Sequence, residues 1–161
     1  HCPAANMKAG KGIANIASML EQGVDVTLGT DGPISGNTLD LFEKMRLTAY
    51  AQKTLHHKRD LLPSQEILAM VTSSAAKALG RDDLGSIEPG KKADLTFLSL
   101  EDLNMQPVYD YYAAVVYAAQ SHNVTDVMVD GVFLYRNRDY ENTENLDESL
   151  KALKSLKIKR D

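Results

Sequence analysis

A short alternating apolar stretch with a helical pattern on each side leaves this chain few architectures. Val24, Val26 and Leu28 alternate with Asp25 and Thr27, the period of a half-buried strand. Upstream, Ile13, Ile16, Ala17 and Leu20 recur at helical spacing, and Gly23 stands where a helix C-cap would. Downstream, Asn37 can cap a second helix with Asp40 in its first turn and Leu39, Phe42, Met45 and Ala49 on one apolar face. Pro63 suits the first turn of a third helix, with Ile67, Leu68, Val71, Ala75 and Ala78 on a face and Gly80 closing it. Helices alternating with a strand in this order read as βα repeats of a parallel sheet.

The strand runs into Leu28-Gly29-Thr30-Asp31-Gly32. Gly29 and Gly32 let the backbone turn tightly and approach a ligand. An acidic side chain at the C-terminal tip of a strand is where α/β barrels place their chemistry. An aspartate there can equally just cap the turn that follows, and spacing alone leaves both readings open. Pro33, Ser35, Gly36 and Asn37 prolong the irregular stretch.

The pattern changes after Arg81. Gly85-Ser86-Ile87-Glu88-Pro89-Gly90 is turn chemistry, and Ala93 to Leu100 reads as a strand. Val124 to Tyr135 reads as a hairpin about the two-residue turn Asp130-Gly131. Between them, Val108 to Ala119 fits helix or strand. From Asn145, Leu146, Leu150, Leu153 and Leu156 form the stripe of a final helix, acidic at its start (Asp147, Glu148) and basic at its end (Lys154, Lys157, Lys159). The expected division is 1–80 for the βα units and 81–161 for a small β unit with a C-terminal helix.

Composition narrows the function. With 161 residues, 43% hydrophobic and 25% charged, the chain has room for one ordinary domain or two small ones. A net charge of −4 gives no reason to expect nucleic acid. The single cysteine, Cys2, excludes an internal disulfide framework and points to a reducing cytoplasm. Tyr109 to Ala119 is the most apolar stretch and is too short to span a membrane. Gly10-Lys11-Gly12 lacks the third glycine and the Lys-Ser/Thr ending of a phosphate loop. His1-Cys2-Pro3-Ala4-Ala5-Asn6 reads as a polar loop after a strand, so that the chain reads as a piece of something longer.

Four segments in order resemble the C-terminal part of amidohydrolase-superfamily enzymes, in the branch of 5-methylthioadenosine/S-adenosylhomocysteine deaminases, guanine deaminases and triazine chlorohydrolases. His1-Cys2-Pro3-Ala4-Ala5-Asn6-Met7-Lys8 is similar to the loop after the seventh barrel strand, and Leu28 to Gly32 to the loop after the eighth. Leu39 to Arg46 resembles the Phe-x-Glu-Met-Arg helix behind it. Gly85 to Leu95 is similar to the segment returning the chain to a small β-sandwich. The resemblance implies the C-terminal portion of a metal-dependent (β/α)8 barrel, part of a small β-sandwich domain and a C-terminal helix.

It also implies a chemistry. A Zn²⁺ or Fe²⁺ ion at the barrel mouth would lower the pKa of a bound water to about 7, and the hydroxide would attack a ring carbon of a purine-like or other heterocycle, breaking its C–N bond so that ammonia or another leaving group departs. Asp31 is then the metal ligand from the eighth strand and the acceptor of the water's proton. His1 falls at the substrate or attacked-ring side and not on the metal, as a catalytic and substrate-binding residue, and Asn6 and Ser35 shape the pocket. His56, His57 and His122 read as surface residues, Cys2 as a small filler, and Tyr109, Tyr111, Tyr112 and Tyr117 as packing of the β unit.

The departures matter as much. No His-x-His occurs and there are only four histidines, so the other ligands and the catalytic Glu of the family are missing. One carboxylate does not hold a catalytic metal. The expectation is therefore that the chain by itself is inactive and binds no metal, and that it acts within a homo-oligomer or with the missing N-terminal half. Ala5 stands where the family usually has Ser, and Gly32-Pro33-Ile34-Ser35 departs from the usual loop, which bears on substrate choice. A catalytically dead scaffold and a stand-alone binding module are the alternatives.

Overall fold

A computed structural model of the chain describes residues 1–141, 143 and 146–155. In the first half, helices surround one extended stretch. These are α1 (Pro3–Lys8), α2 (Ile16–Glu21), the short α3 (Pro33–Gly36), α4 (Leu41–His56), α5 (Ser64–Ala69) and α6 (Ser73–Ala78). In the second half β1 (Leu95–Leu98), β2 (Val124–Val129), β3 (Val132–Arg136) and β4 (Asp139–Tyr140) form one antiparallel sheet in sequence order. Between β1 and β2, α7 (Tyr111–Ala113) continues into a π-helical turn at Ala114–Ala118, and α8 (Leu146–Ser155) closes the described chain. No helix among the described residues is long and apolar enough to cross a membrane.

The expected strand at 24–28 is extended but carries no ladder. Val26 and Leu28 are buried as the alternation requires, whereas Val24 is exposed. A strand is defined by its neighbours, and here the neighbour is His1: its amino group donates to the Thr27 carbonyl at 2.7 Å, and Gly29 N–H donates to the His1 carbonyl at 2.9 Å. One residue bonding both j−1 and j+1 is the unit of a parallel pair. His1 and Leu28 thus lie side by side and run the same way. The other edge of Leu28 donates to the Met70 carbonyl at the end of α5.

Four local expectations are corrected. The His1–Asn6 segment is not a loop throughout, because Pro3 with its preset φ opens α1. Asp40, not Asn37, caps α4: its carboxylate accepts from Phe42 N–H at 2.8 Å and Glu43 N–H at 3.3 Å, while Asn37 adopts a positive φ of 64° and ends α3. Leu39 therefore lies outside α4 and is exposed. The third helix is two, broken at Met70–Thr72, where the Thr72 hydroxyl bonds back to the Leu68 carbonyl at 2.8 Å and competes with the helix ladder.

The hairpin forms as its Asp-Gly turn predicts, with positive φ at both Asp130 and Gly131. The ambiguous 108–119 stretch is helical from Tyr111. Val116 joins the core of Ile16, Val26, Leu28, Met45, Ala49, Leu62, Ile67 and Met70, and Tyr117 stacks on Tyr50 of α4 at 5.9 Å. Tyr117 therefore packs on the helices, and Tyr109, Tyr111 and Tyr112 are exposed rather than packed in the β unit. Leu150 and Leu153 of α8 are also exposed; Asn145, Leu156, Lys157 and Lys159 lie outside the described residues.

One face of α4 is polar yet buried. Lys44, Thr48 and Gln52 repeat every four residues and are fully buried. Lys44 donates to the Thr38 hydroxyl at 2.8 Å and to Glu43 at 2.7 Å. Gln52 accepts from Ala17 N–H at 3.2 Å and donates to the Ala14 carbonyl at 2.7 Å, tying the start of α2 to α4. Arg46 reaches the Ala119 carbonyl and fastens the π-helical turn.

Candidate active site

The parallel pairing of His1 with Leu28 brings two chain segments to the same strand edge. Just past that edge one continues into α1 and the other into the Asp31 loop. Gly29 permits the approach: a Cβ there would stand 3.3 Å from the Cys2 sulfur, which accords with Cys2 as a small filler. Asp31 has a positive φ of 59°, and its carboxylate accepts from Gly32 N–H at 2.6 Å. That bond is to the adjacent residue and uses one carboxylate oxygen; the capping bond the sequence allowed is not made, and α3 has no side-chain cap. Pro33 then opens α3, and Gly36 passes so close under the Thr30 carbonyl that a Cβ would collide with it. The Asp31 loop is therefore folded back on itself.

Lys8, at the end of α1, holds this loop from the other side. Its ammonium donates to the Ile34 carbonyl at 3.4 Å and to the Asn37 side chain. Between α1 and the loop lies an open recess of about 240 Å³, lined by Ala5, Asn6, Lys8, Ala9, Lys11, Asp31, Ile34 and Ser35. Three of the four residues picked out by sequence thus share one recess: Asp31, Asn6 and Ser35. His1 is half-buried at the strand edge and does not line it. Lys8 and Lys11 do, and sequence reasoning gave neither a role in the site; Lys8 ends α1 and Lys11 follows the turn at Gly10, so no periodicity signalled the pair.

A larger depression of about 440 Å³ is lined by Ala17, Leu20, Glu21, Lys58, Asp60 and neighbours. It holds none of the residues of the Asp31 loop or of α1, which the smaller recess brings together. His56 bonds Asn15 at 2.8 Å, His57 ends α4 with a left-handed φ of 52°, and His122 is exposed beside Asn104. None of these approaches the recess lining. Behind the loop, the hydrogen bonds from Lys44 and then Thr38 hold the Glu43 carboxyl below its usual range.

Sequence and structure comparisons agree with one another. The model of the amidohydrolase family matches residues 1–134. A 5-methylthioadenosine/S-adenosylhomocysteine deaminase of Thermodesulfovibrio yellowstonii is 40% identical over 138 residues, covering 85% of this chain and 31% of that protein. An adenosine deaminase from Xanthomonas campestris with bound zinc superposes with a TM-score of 0.90 at 33% identity, over 96% of this chain and 35% of that one. Atrazine chlorohydrolase from Arthrobacter aurescens TC1, complexed with zinc, superposes at 0.86 with 29% identity, over 95% and 35%. The chain spans about a third of the length of the curated relatives it matches.

Proposed function

The chain belongs to the amidohydrolase family, and from that premise we propose that it supplies two strand ends of an enzyme that hydrolytically deaminates a purine-like heterocycle. In such a reaction water adds to the ring carbon that bears the amino group, and ammonia leaves. Residues 1–80 would be the last βα units of a (β/α)8 barrel, and 81–161 a small β domain with its C-terminal helix.

The observation that carries this reading is the shared recess, with Asp31, Asn6 and Ser35 in its wall. One oxygen of Asp31 is used by Gly32 N–H, which orients the carboxylate and leaves the other oxygen for chemistry. A carboxylate there can take a proton from the attacking water and pass it to the departing nitrogen. Asn6 and Ser35 offer neutral donors and acceptors to a ring. His1, on the adjacent strand end, is assigned to the substrate side.

The family's structural neighbours carry zinc. Catalytic zinc takes three protein ligands and a water, yet among the described residues no three of His, Cys, Asp and Glu converge. This chain by itself therefore does not fit a catalytic metal centre. Asp31 is assigned as one donor of a larger set, completed by the portion of the relatives that this chain does not span. The isolated chain is accordingly inferred to be inactive.

The test is ammonia release from methylthioadenosine, S-adenosylhomocysteine, adenosine and guanine, by protein of the relatives' full length. Asp31→Asn is expected to lower kcat on the order of a hundredfold or more with little change in KM. An Asp31→Asn enzyme within a few-fold of wild type refutes the assignment of Asp31, and turnover by the isolated 161 residues refutes the inactivity.

A further inference from the structure

We propose that Lys11 is a specificity-determining residue, its ammonium at the rim of the Asp31 recess selecting heterocyclic substrates that carry an anionic substituent. The inference deepens the reading of that recess as the substrate site. Its wall holds two lysines and one carboxylate. Among the described residues no carboxylate pairs with Lys8 or Lys11. Lys8 donates to neutral groups only, the Ile34 carbonyl and the Asn37 side chain, so its charge is fixed in place but not cancelled. With two lysines against the one carboxylate of Asp31, the recess wall keeps a surplus of positive charge.

Lys11 is the cation able to answer a ligand. Its backbone N–H is anchored to the Asn6 carbonyl at 2.9 Å. On each side of it a glycine turns the chain through left-handed backbone, Gly10 at φ +65° and Gly12 at +85°. The anchor sets where the residue emerges and the turns leave its exposed side chain to swing over the opening. A surface lysine is ordinarily just solvated. What sets this one apart is its place in the same recess as Asp31 and beside Ile34, which is 93% exposed. Such an apolar side chain gives a flat ring a surface to lie on, with the polar groups of the wall around it. A ring held there would direct a charged substituent outward to the rim.

The recognised chemistry is a carboxylate or a phosphate. The name of the deaminase relatives pairs two compounds that differ in this respect: S-adenosylhomocysteine carries a carboxylate, with an ammonium on the neighbouring carbon, and methylthioadenosine carries no charged group; adenosine 5′-monophosphate supplies an anion without that ammonium. The experiment uses protein of the relatives' full length, as wild type, Lys11→Arg and Lys11→Glu. Calorimetry gives the affinities of methylthioadenosine, S-adenosylhomocysteine and adenosine 5′-monophosphate, with ammonia release followed in parallel. A rim ion pair contributes up to about fivefold. Losing it and adding a repulsion should therefore shift the preference for the anionic ligand over methylthioadenosine by roughly twentyfold in Lys11→Glu. Lys11→Arg keeps the charge and keeps the preference, and the preference weakens as salt is raised. A shift confined to S-adenosylhomocysteine identifies a carboxylate site, and one confined to the monophosphate identifies a phosphate site; either supports the proposal. Equal ratios in wild type and Lys11→Glu overturn it, as does wild type without preference for either anion or without binding. Ligands that bind with this preference but are not deaminated overturn the deaminase reading while sustaining the role of Lys11.

Discussion

Gln52→Leu isolates what the buried polar face of α4 contributes. Leucine has a similar volume and helix propensity, so the change removes two hydrogen bonds without opening a large cavity. The bonds lost are Gln52 to Ala17 N–H at 3.2 Å and to the Ala14 carbonyl at 2.7 Å. Ala17 is buried and sits in the first turn of α2, where its N–H has no intrahelical acceptor. Leaving it unpaired costs about 1–3 kcal/mol. Ala14 is half-buried, so water can reach its carbonyl and the second loss is smaller. The expected destabilisation is about 2–4 kcal/mol, seen as a lower urea midpoint at unchanged slope, with amide exchange quickened in α2. Thr48→Val is the control: its hydroxyl bonds only to the Lys44 carbonyl of its own helix, at 2.9 Å, a carbonyl that keeps its helix partner. That change should cost under about 1 kcal/mol. A Gln52→Leu cost equal to that of Thr48→Val refutes the bridging role of the glutamine.

Asp40→Ala removes the cap of α4 and should cost about 1 kcal/mol, with Asp40→Asn recovering most of it in the same melt; an unaltered midpoint in Asp40→Ala contradicts the cap. Acid sensitivity follows from Glu43, whose pKa is lowered from its ordinary 4.5 by the hydrogen bonds of Lys44 and Thr38. A lowered folded value means the carboxylate's contribution is complete above the unfolded value of 4.5 and is lost as pH falls through the folded one. Urea midpoints should therefore be flat from neutrality down to about 4.5 and fall below it, and Glu43→Gln should lessen that fall without abolishing it, because hydrogen bonds also hold the carboxyls of Asp83, Asp102 and Asp126 below their ordinary values; an identical acid limb in the variant removes Glu43 as a contributor.

How much of this was legible in the sequence depended on whether a residue's partner lay nearby along the chain. Helical spacing on either side of 24–28 identified the flanking helices, because burial of one face leaves its period in the sequence, whereas the strand expected between them is extended without a ladder and leaves Val24 exposed. The Asp130-Gly131 hairpin was equally plain, since that turn dictates its own backbone. The errors came where two local signals competed. Asn37 and Asp40 both suit a cap, and Pro3 suits both a loop and a first helical turn. The break at Met70–Thr72 came from a side-chain bond that apolar spacing does not register.

The polar stripe of α4 was illegible for a different reason. Lys44, Thr48 and Gln52 at four-residue spacing have the signature of a solvated helix face. They are buried instead because backbone groups 35 and 38 residues away from Gln52, and the Thr38–Glu43 pair beside Lys44, satisfy them. The candidate site combined both situations. Asp31, Asn6 and Ser35 were proposed from local motifs, and they meet because one parallel pairing, His1 with Leu28, sets α1 beside the Asp31 loop, two segments that the sequence separates. That same alignment brings Lys11 into the wall. Its Gly-Lys-Gly setting looks like a failed phosphate loop in one dimension, and only the fold gives its charge something to act on.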